Sequence, residues 1–298
     1  MGKTREIKKR IKAVGNIRRI TKTMQMIATA KFAASQQRAT AGKPYTETLF
    51  DLVAQLAAAL GDSASHPLLE SRKDGKGTGK DLTLIITSDR GLCGPYNGAV
   101  LRTAMGLLKN NPRAKSGEIE LVGKKGAGFL KFAGVNVSRQ HSFGDKPSYA
   151  TIQQLAEEYT AKFISGEIST VRIVYMRFIS TGKQAPTVLQ LLPFSAPADK
   201  PAAKTAEKKT GENQIFEFEP SAKELLDSIV PLAVKATLFQ NFNDAIVSEH
   251  VARMVAMKAA TDNAGKAGKR LTRVYNRARQ AQITTELTEI ISGAAALE

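Results

Sequence analysis

The first sixty residues restrict the fold more than any other part of the chain. From Thr4 to about Leu60 the only proline is Pro44, and Ile7, Ile11, Val14, Ile17, Ile20, Met24 and Ile27 recur at steps of three and four. That spacing places apolar side chains on one face of a helix. At about 1.5 Å of rise per residue, roughly fifty-five residues of helix run about 80 Å, more than a domain of this size spans. The helix is therefore expected to project.

The other end repeats the pattern. Ser221, after Pro220 and with Glu224 three residues on, reads as an N-cap, and helical spacing continues to about Ile291 through Leu271, Val274, Ala278, Ala281, Ile283, Leu287 and Ile290. Pro231 lacks the amide that a helix interior uses, so a bend or break is expected there. Two long helices with narrow apolar stripes bury them most simply against one another, as an antiparallel coiled coil.

The middle has a different texture. Segments 81–88, 118–123, 135–141, 170–180 and 187–194 read as strands, and 99–109, 124–132 and 152–164 as helices. Alternation of this kind argues for a mainly parallel sheet. The expected fold class is α/β with long terminal helices: an antiparallel coiled coil plus a central Rossmann-like α/β domain. Its parts are residues 1–60, 61–220 and 221–298. Stretches 71–80 and 196–213 are rich in Gly, Pro, Ala, Lys and Thr, and read as loops.

A hydrophobic content of 42% over 298 residues suffices for a buried core. A formal charge of +17 draws the chain toward something acidic, whether nucleic acid, anionic lipid or protein. One cysteine, Cys93, excludes an internal disulfide and a Cys-rich zinc site, and His66, His141 and His250 lack ligand spacing. The opening is basic without a signal peptide's apolar core, and no window reaches the roughly 18 apolar residues of a membrane span, so a soluble or peripheral chain is expected.

Three short motifs invite chemistry, and each has a plainer reading. GKGTGK (75–80) lacks phosphate-loop spacing and precedes its strand instead of following it, so it reads as a flexible loop. GKKGAG (123–128) follows a strand and opens a helix, where backbone amides can meet an anion, but its glycine order is wrong for a dinucleotide fingerprint and a tight turn is favoured. SDRGLCG (88–94) offers Asp89, Arg90 and Cys93 as acid, anion clamp and nucleophile, against a structural Asp-Arg pair in a glycine turn.

Through residue 43 the N-terminal arm holds twelve Lys and Arg against the single acid Glu6. A solvated face mixes signs, so an acidic counter-surface is expected. A basic nucleic-acid-binding coiled coil is the competing reading, weakened because only Phe32 and Tyr45 are available for stacking. Met24 and Met26 on one arm, and Met254 and Met257 on the other, suit either a surface meeting several partner shapes or gap-filling between the arms.

Four stretches together, ITKTMQMIATAKF (20–32), SDRGLCGPYN (88–97), SEHVARMVAMKAATDNA (248–264) and YNRARQAQITTELTEIISGA (275–294), strongly resemble the gamma subunits of F-type ATP synthases. The resemblance runs from about Arg5 to Ala296, with the middle matching mostly in pattern. It departs at Pro95-Tyr96, where the family more often has Gly and Phe, and in the length of 196–213, which carries no regulatory cysteine pair. The chain opens where the family opens, which points to a bacterial protein at the cytoplasmic side of the plasma (inner) membrane.

The resemblance implies a central rotor shaft with no bond chemistry of its own and no cofactor or metal. It implies three alpha and three beta subunits around one copy, an epsilon subunit, a c-subunit ring, no nucleic acid, and membrane association only through the complex. Arg279 and Gln280 are implied to hydrogen-bond a beta-subunit loop. Arg253, Thr284, Glu286 and Glu289 are implied in coupling, and Met24 is implied to lie beside the acidic beta-subunit lever. Gly293 to Leu297 has the look of a bearing tip.

Overall fold

A computed structural model describes residues 2–61, 66–70, 80–194, 219 and 221–295. The loop expected at 196–213 lies outside these, as does 71–79. The elements are α1 (Gly2–Leu60), β1 (Lys80–Ile86), α2 (Tyr96–Asn110), α3 (Pro112–Ser116), β2 (Glu118–Val122), α4 (Ala127–Phe132), β3 (Arg139–His141), α5 (Tyr149–Ser165), β4 (Ile168–Ser180), β5 (Lys183–Leu192) and α6 (Ala222–Ala295). They form two compact units, one of Met1–Lys31 with Ala252–Glu298, the other of Phe32–Val251.

In the first unit the helix pair is antiparallel. Thr4 Oγ1 donates to Gln282 Oε1 at 3.1 Å, Val14 lies beside Gly268, Arg18 beside Gly265, and Thr261 Oγ1 donates to Thr21 Oγ1 at 2.9 Å. Partner numbers rise along α1 as they fall along α6. The seam runs through Thr4, Ile7, Ile11, Val14, Thr21, Gln25 and Ala28 of α1 and Met254, Met257, Thr261, Ala264, Gly268, Leu271, Tyr275, Ala278 and Gln282 of α6, all buried or half-buried, with further half-buried positions such as Met24 and Arg253 beside it. Steps of three and four, with one step of seven on α1 across the exposed Arg18, are the heptad of a coiled coil.

The seam departs from the stripe read in the sequence. Ile7, Ile11 and Val14 lie on it, but Ile17, Ile20 and Ile27 are 52%, 59% and 52% exposed, one position off. Small or polar side chains, Thr21, Gln25 and Ala28, take the seam there. On α6 Leu271 and Ala278 are in the seam, whereas Val274, Ile283, Leu287 and Ile290 are exposed.

The second unit is a five-stranded sheet of order β3-β2-β1-β4-β5. β1, β2, β3 and β4 run parallel, and β5 returns antiparallel along β4. Alternation along β1 sends Leu82, Leu84 and Ile86 into a core shared with Val171, Ile173 and Tyr175 of β4, with α5, and with both long helices through Leu49, Val53, Leu56, Leu226, Val230 and Val234. Helix and sheet thus bury one another's apolar faces. In this unit too the helix pair is bonded side by side, Gln240 Nε2 donating to Ala39 O at 3.2 Å.

Two expectations are corrected. Of the bend or break expected at Pro231, the break does not occur: α6 runs through it from Ala222, with Ser221 Oγ accepting from Glu224 N as the cap. A missing amide costs about 3 kcal/mol, and deep burial of Val230, Ala233 and Val234 on either side offsets it. The strand expected over 135–141 is confined to Arg139–His141. Val135 instead closes α4: its N–H reaches Leu130 O and that of Gly134, at φ 71°, reaches Lys131 O, the double bond of a left-handed helix cap.

Buried charge pins one side of the sheet. Glu120 on β2, nearly inaccessible, accepts at Oε2 from Tyr159 Oη of α5 at 2.6 Å and lies 2.7 Å from His141 Nε2 of β3. Burial pushes its carboxyl up, but the His141 and Tyr159 hydrogen bonds outweigh burial and hold it below the ordinary carboxylate value. A depressed folded-state value contributes stability that is present above the unfolded carboxylate range and lost as pH falls through the folded value. Thermal melts should therefore show the wild type losing more stability than Glu120→Gln below about pH 4.5. At pH 7 the variant should be less stable by about 1–3 kcal/mol. Equal pH slopes would remove the role assigned to this carboxylate.

Seam and exposed row should separate in the same assay. Ala28, almost wholly buried, should accept Leu only at a cost of about 1–3 kcal/mol. Ile20→Ala, on an exposed side chain, should change chain stability by less than about 0.5 kcal/mol.

Candidate partner-contact site

Met24, Arg253, Arg279, Gln280, Thr284, Glu286 and Glu289 all fall in the helix-pair unit. Met24 is half-buried within the exposed row, between Ile20 and Ile27, so its thioether borders uncovered aliphatic surface. Arg253 is half-buried at the other end of the unit's α6 segment. The remaining five are exposed; Arg279, Gln280, Thr284 and Glu286 are off the heptad seam, and Glu289 continues its register one heptad past Gln282.

Helical spacing sorts them. Arg279, Ile283, Glu286 and Ile290 follow one another at four, three and four residues, and so do Gln280, Thr284, Leu287 and Ile291. The first row alternates polar groups with exposed aliphatics, and the second passes from two polar side chains to two exposed aliphatics. Thr284 Oγ1 donates to Gln280 O at 3.0 Å, so its hydroxyl is turned along the helix. Glu286 is steadied from the seam: Gln282 Nε2 donates to its Oε1 at 2.7 Å, while Gln282 Oε1 accepts from Thr4 of α1. The sequence did not announce this relay, because Thr4 and Gln282 lie at opposite ends of the chain.

The charge is as uneven as the polarity. Residues 1–31 hold ten Lys and Arg against Glu6, and 252–298 hold eight against Asp262, Glu286, Glu289 and Glu298. This unit therefore carries a formal +13 of the chain's +17. A groove of about 830 Å³ between the helices, where Gly15, Gly265 and Gly268 thin the walls, is edged by Arg18, Lys266, Lys269 and Arg273. Such a surface attracts acidic partners and gives aliphatic side chains something to bury against.

Two of the motifs that invited chemistry, SDRGLCG and GKKGAG, are tied up in hydrogen bonds of their own turns, and GKGTGK lies outside the described residues but for Lys80. Cys93 is buried, with Asn97 Nδ2 donating to its sulfur at 3.3 Å and Ser88 Oγ 3.6 Å away. Asn97 Oδ1 accepts from Ser88 N, closing a turn in which Leu92 and Gly94 take positive φ. Asp89 accepts from Ser142 Oγ at 3.4 Å. In GKKGAG the amides of Lys125 and Gly126 already donate to Ser88 O and Thr87 Oγ1, the bonding of a tight turn. Among the described residues no group of three or more His, Cys, Asp or Glu side chains could hold a metal ion, and no helix is long and apolar enough to cross a membrane.

The fold matches that of solved rotary assemblies. A chain of the Euglena gracilis mitochondrial ATP synthase rotor, in rotational state 1, superposes with a TM-score of 0.64 at 19% identity, over 95% of this chain and 99% of that one. Another, from the OSCP/F1/c-ring part of the same organism's enzyme in rotational state 3, gives 0.66 at 20% identity, over 99% and 95%. By sequence, the chain is 42% identical to the ATP synthase gamma chain of Rhodopirellula baltica and 38% to that of Desulfitobacterium hafniense, in both cases over the full length of both chains. The family model described as ATP synthase matches residues 3–297, and with relatives this similar end to end, the chain belongs to the ATP synthase gamma chain family.

Proposed function

We propose that the chain is the central rotor shaft of a proton-translocating F-type ATP synthase, turning within three alpha and three beta subunits and joined to an epsilon subunit and a c-subunit ring. The observation that carries this reading is the uncovered aliphatic row on a strongly basic helix pair. A helix pair folding for itself alone has no use for Ile17, Ile20 and Ile27 beside its seam. The chain performs no bond chemistry; it transmits torque, and activity belongs to the complex. The nucleic-acid reading finds no support, because family membership accounts for the basic arms and the exposed row is aliphatic, with no aromatic platform for bases.

Within that role we assign coupling to Met24, Arg253, Arg279, Gln280, Thr284, Glu286 and Glu289. Residues 1–60 and 221–298 are the shaft arms, and 61–220 form the domain that meets epsilon and the c ring. Arg279 supplies a planar cation and Gln280 an amide, suited to carboxylate and backbone groups on a beta subunit. The bacterial sources of the relatives support a place on the cytoplasmic side of the plasma (inner) membrane, with attachment through the complex.

Native mass spectrometry of the tagged chain drawn gently from its own cells should find one copy with three alpha and three beta subunits. A lone chain, or one carrying nucleic acid, overturns the reading. In the assembled complex, Arg279→Ala and Gln280→Ala should each lower coupled ATP turnover by roughly tenfold, as expected when a charge-assisted hydrogen bond is lost. Unchanged turnover and proton pumping in both variants would withdraw the site assignment while leaving the shaft role intact.

A further inference from the structure

One cavity of the sheet unit is lined by none of the residues assigned to coupling. It opens where β1 and β2 begin, between the end of α2, α3 and the loop that follows α4, and holds about 840 Å³. That is within the range of small-molecule sites. Met105, Leu108, Ile119 and Val135 supply apolar lining, and Lys80, Lys109 and Lys115 are exposed around it. The one acid lining it, Glu118, is engaged by Lys162 at 3.6 Å. Among the described residues none of the three lysines has an acidic partner.

One wall is kept thin by a glycine that packing does not require. Gly106 sits inside α2, where glycine costs about 1 kcal/mol relative to alanine, and a β-carbon added there would meet nothing within 4 Å. Gly117 in the same lining is the opposite case, since a β-carbon there would stand 2.0 Å from Asp81 O. Close packing therefore accounts for Gly117 and not for Gly106, whose missing side chain leaves room in the cavity.

We infer that this cavity binds a small amphiphilic carboxylate, its anionic head among Lys80, Lys109 and Lys115 and its apolar body on Met105, Leu108, Ile119 and Val135. A net-positive rim selects a single anionic head, and an apolar floor selects a hydrocarbon tail over a sugar or a polyphosphate. The site lies within the sheet unit and asks nothing of the coupling residues, so it stands or falls separately from the shaft reading.

Isothermal titration of the full-length chain with decanoate tests this. Wild type should bind one equivalent saturably. Gly106→Leu, whose β-carbon meets no protein atom within 4 Å and which favours its helix, should bind at least about tenfold more weakly with an undiminished Tm. The Lys109→Ala/Lys115→Ala double variant, altered only at exposed side chains, should also lose about tenfold, and decanol should bind wild type about tenfold more weakly than decanoate. No saturable decanoate binding up to about 1 mM, or wild-type binding by either variant, overturns the proposal. So does retention of an acidic peptide or of phosphatidylglycerol vesicles without decanoate binding, which would make the lysines part of a docking surface.

Discussion

A heptad seam built from small side chains is the constraint on which the helix pair depends. Thr21, Ala28, Thr261, Ala264 and Gly268 fill it where larger aliphatics would be usual. Small residues let the two backbones approach closely, and the Thr261–Thr21 hydrogen bond keeps the polar groups in the seam satisfied. The same choice leaves the bulky aliphatics to neighbouring positions, facing outward. Seam packing and exposed aliphatic surface are thus divided between adjacent positions of the same heptad, and the exposed positions can be altered with little effect on the seam.

Where the sheet is involved, the long helices are held differently. Leu49, Val53 and Leu56 from one, and Leu226, Val230 and Val234 from the other, enter the core that Leu82, Leu84 and Ile86 form from β1. Each fully buried aliphatic is worth about 1.5–3 kcal/mol, so a helix segment anchored by three of them tolerates a proline in its interior. Glu120, His141 and Tyr159 contribute orientation more than energy, since a buried carboxylate must find donors or be neutralised. Their bonds join β2, β3 and α5 at one point.

Much of this was legible in the sequence because it is local. Helix periodicity located α1 and α6 nearly to their ends, β-branched runs gave β1, β2, β4 and β5, and Ser221 was readable as a cap. What was not legible is non-local. A stripe of Ile17, Ile20 and Ile27 looks like a seam until the partner helix shows which positions it covers, because periodicity reports a face and not its occupant. Val135 looked like the start of a strand, yet its amide closes α4 through Leu130. The short α3 at Pro112–Ser116 was missed outright, although Asn111, whose side chain accepts from Arg113 N and Ala114 N, is an ordinary cap. For the proposed contact site, residue identities came from family resemblance, while the exposure of Arg279, Gln280, Thr284, Glu286 and Glu289 and the half-burial of Met24 and Arg253 came from the fold.

On the proposed shaft reading, a two-helix pair inside a threefold ring explains how a chain that performs no bond chemistry can govern catalysis. Two helices have no threefold axis, so on that reading three identical surroundings would meet three different faces, for which the aliphatic row of α1, the mixed rows that begin at Arg279 and Gln280, and the basic edge of the groove are the surfaces proposed. Moving a two-state equilibrium from one part in a hundred to ninety-nine requires about 5.5 kcal/mol of differential contact energy. Covering several half-exposed isoleucines at about 25 cal/mol per Å², together with one or two charge-assisted hydrogen bonds, reaches that magnitude. No single residue has to supply it, which is why the polar and aliphatic groups are interleaved along the same faces. Turning the shaft then exchanges which surroundings receive that energy, and only the difference between faces drives the change.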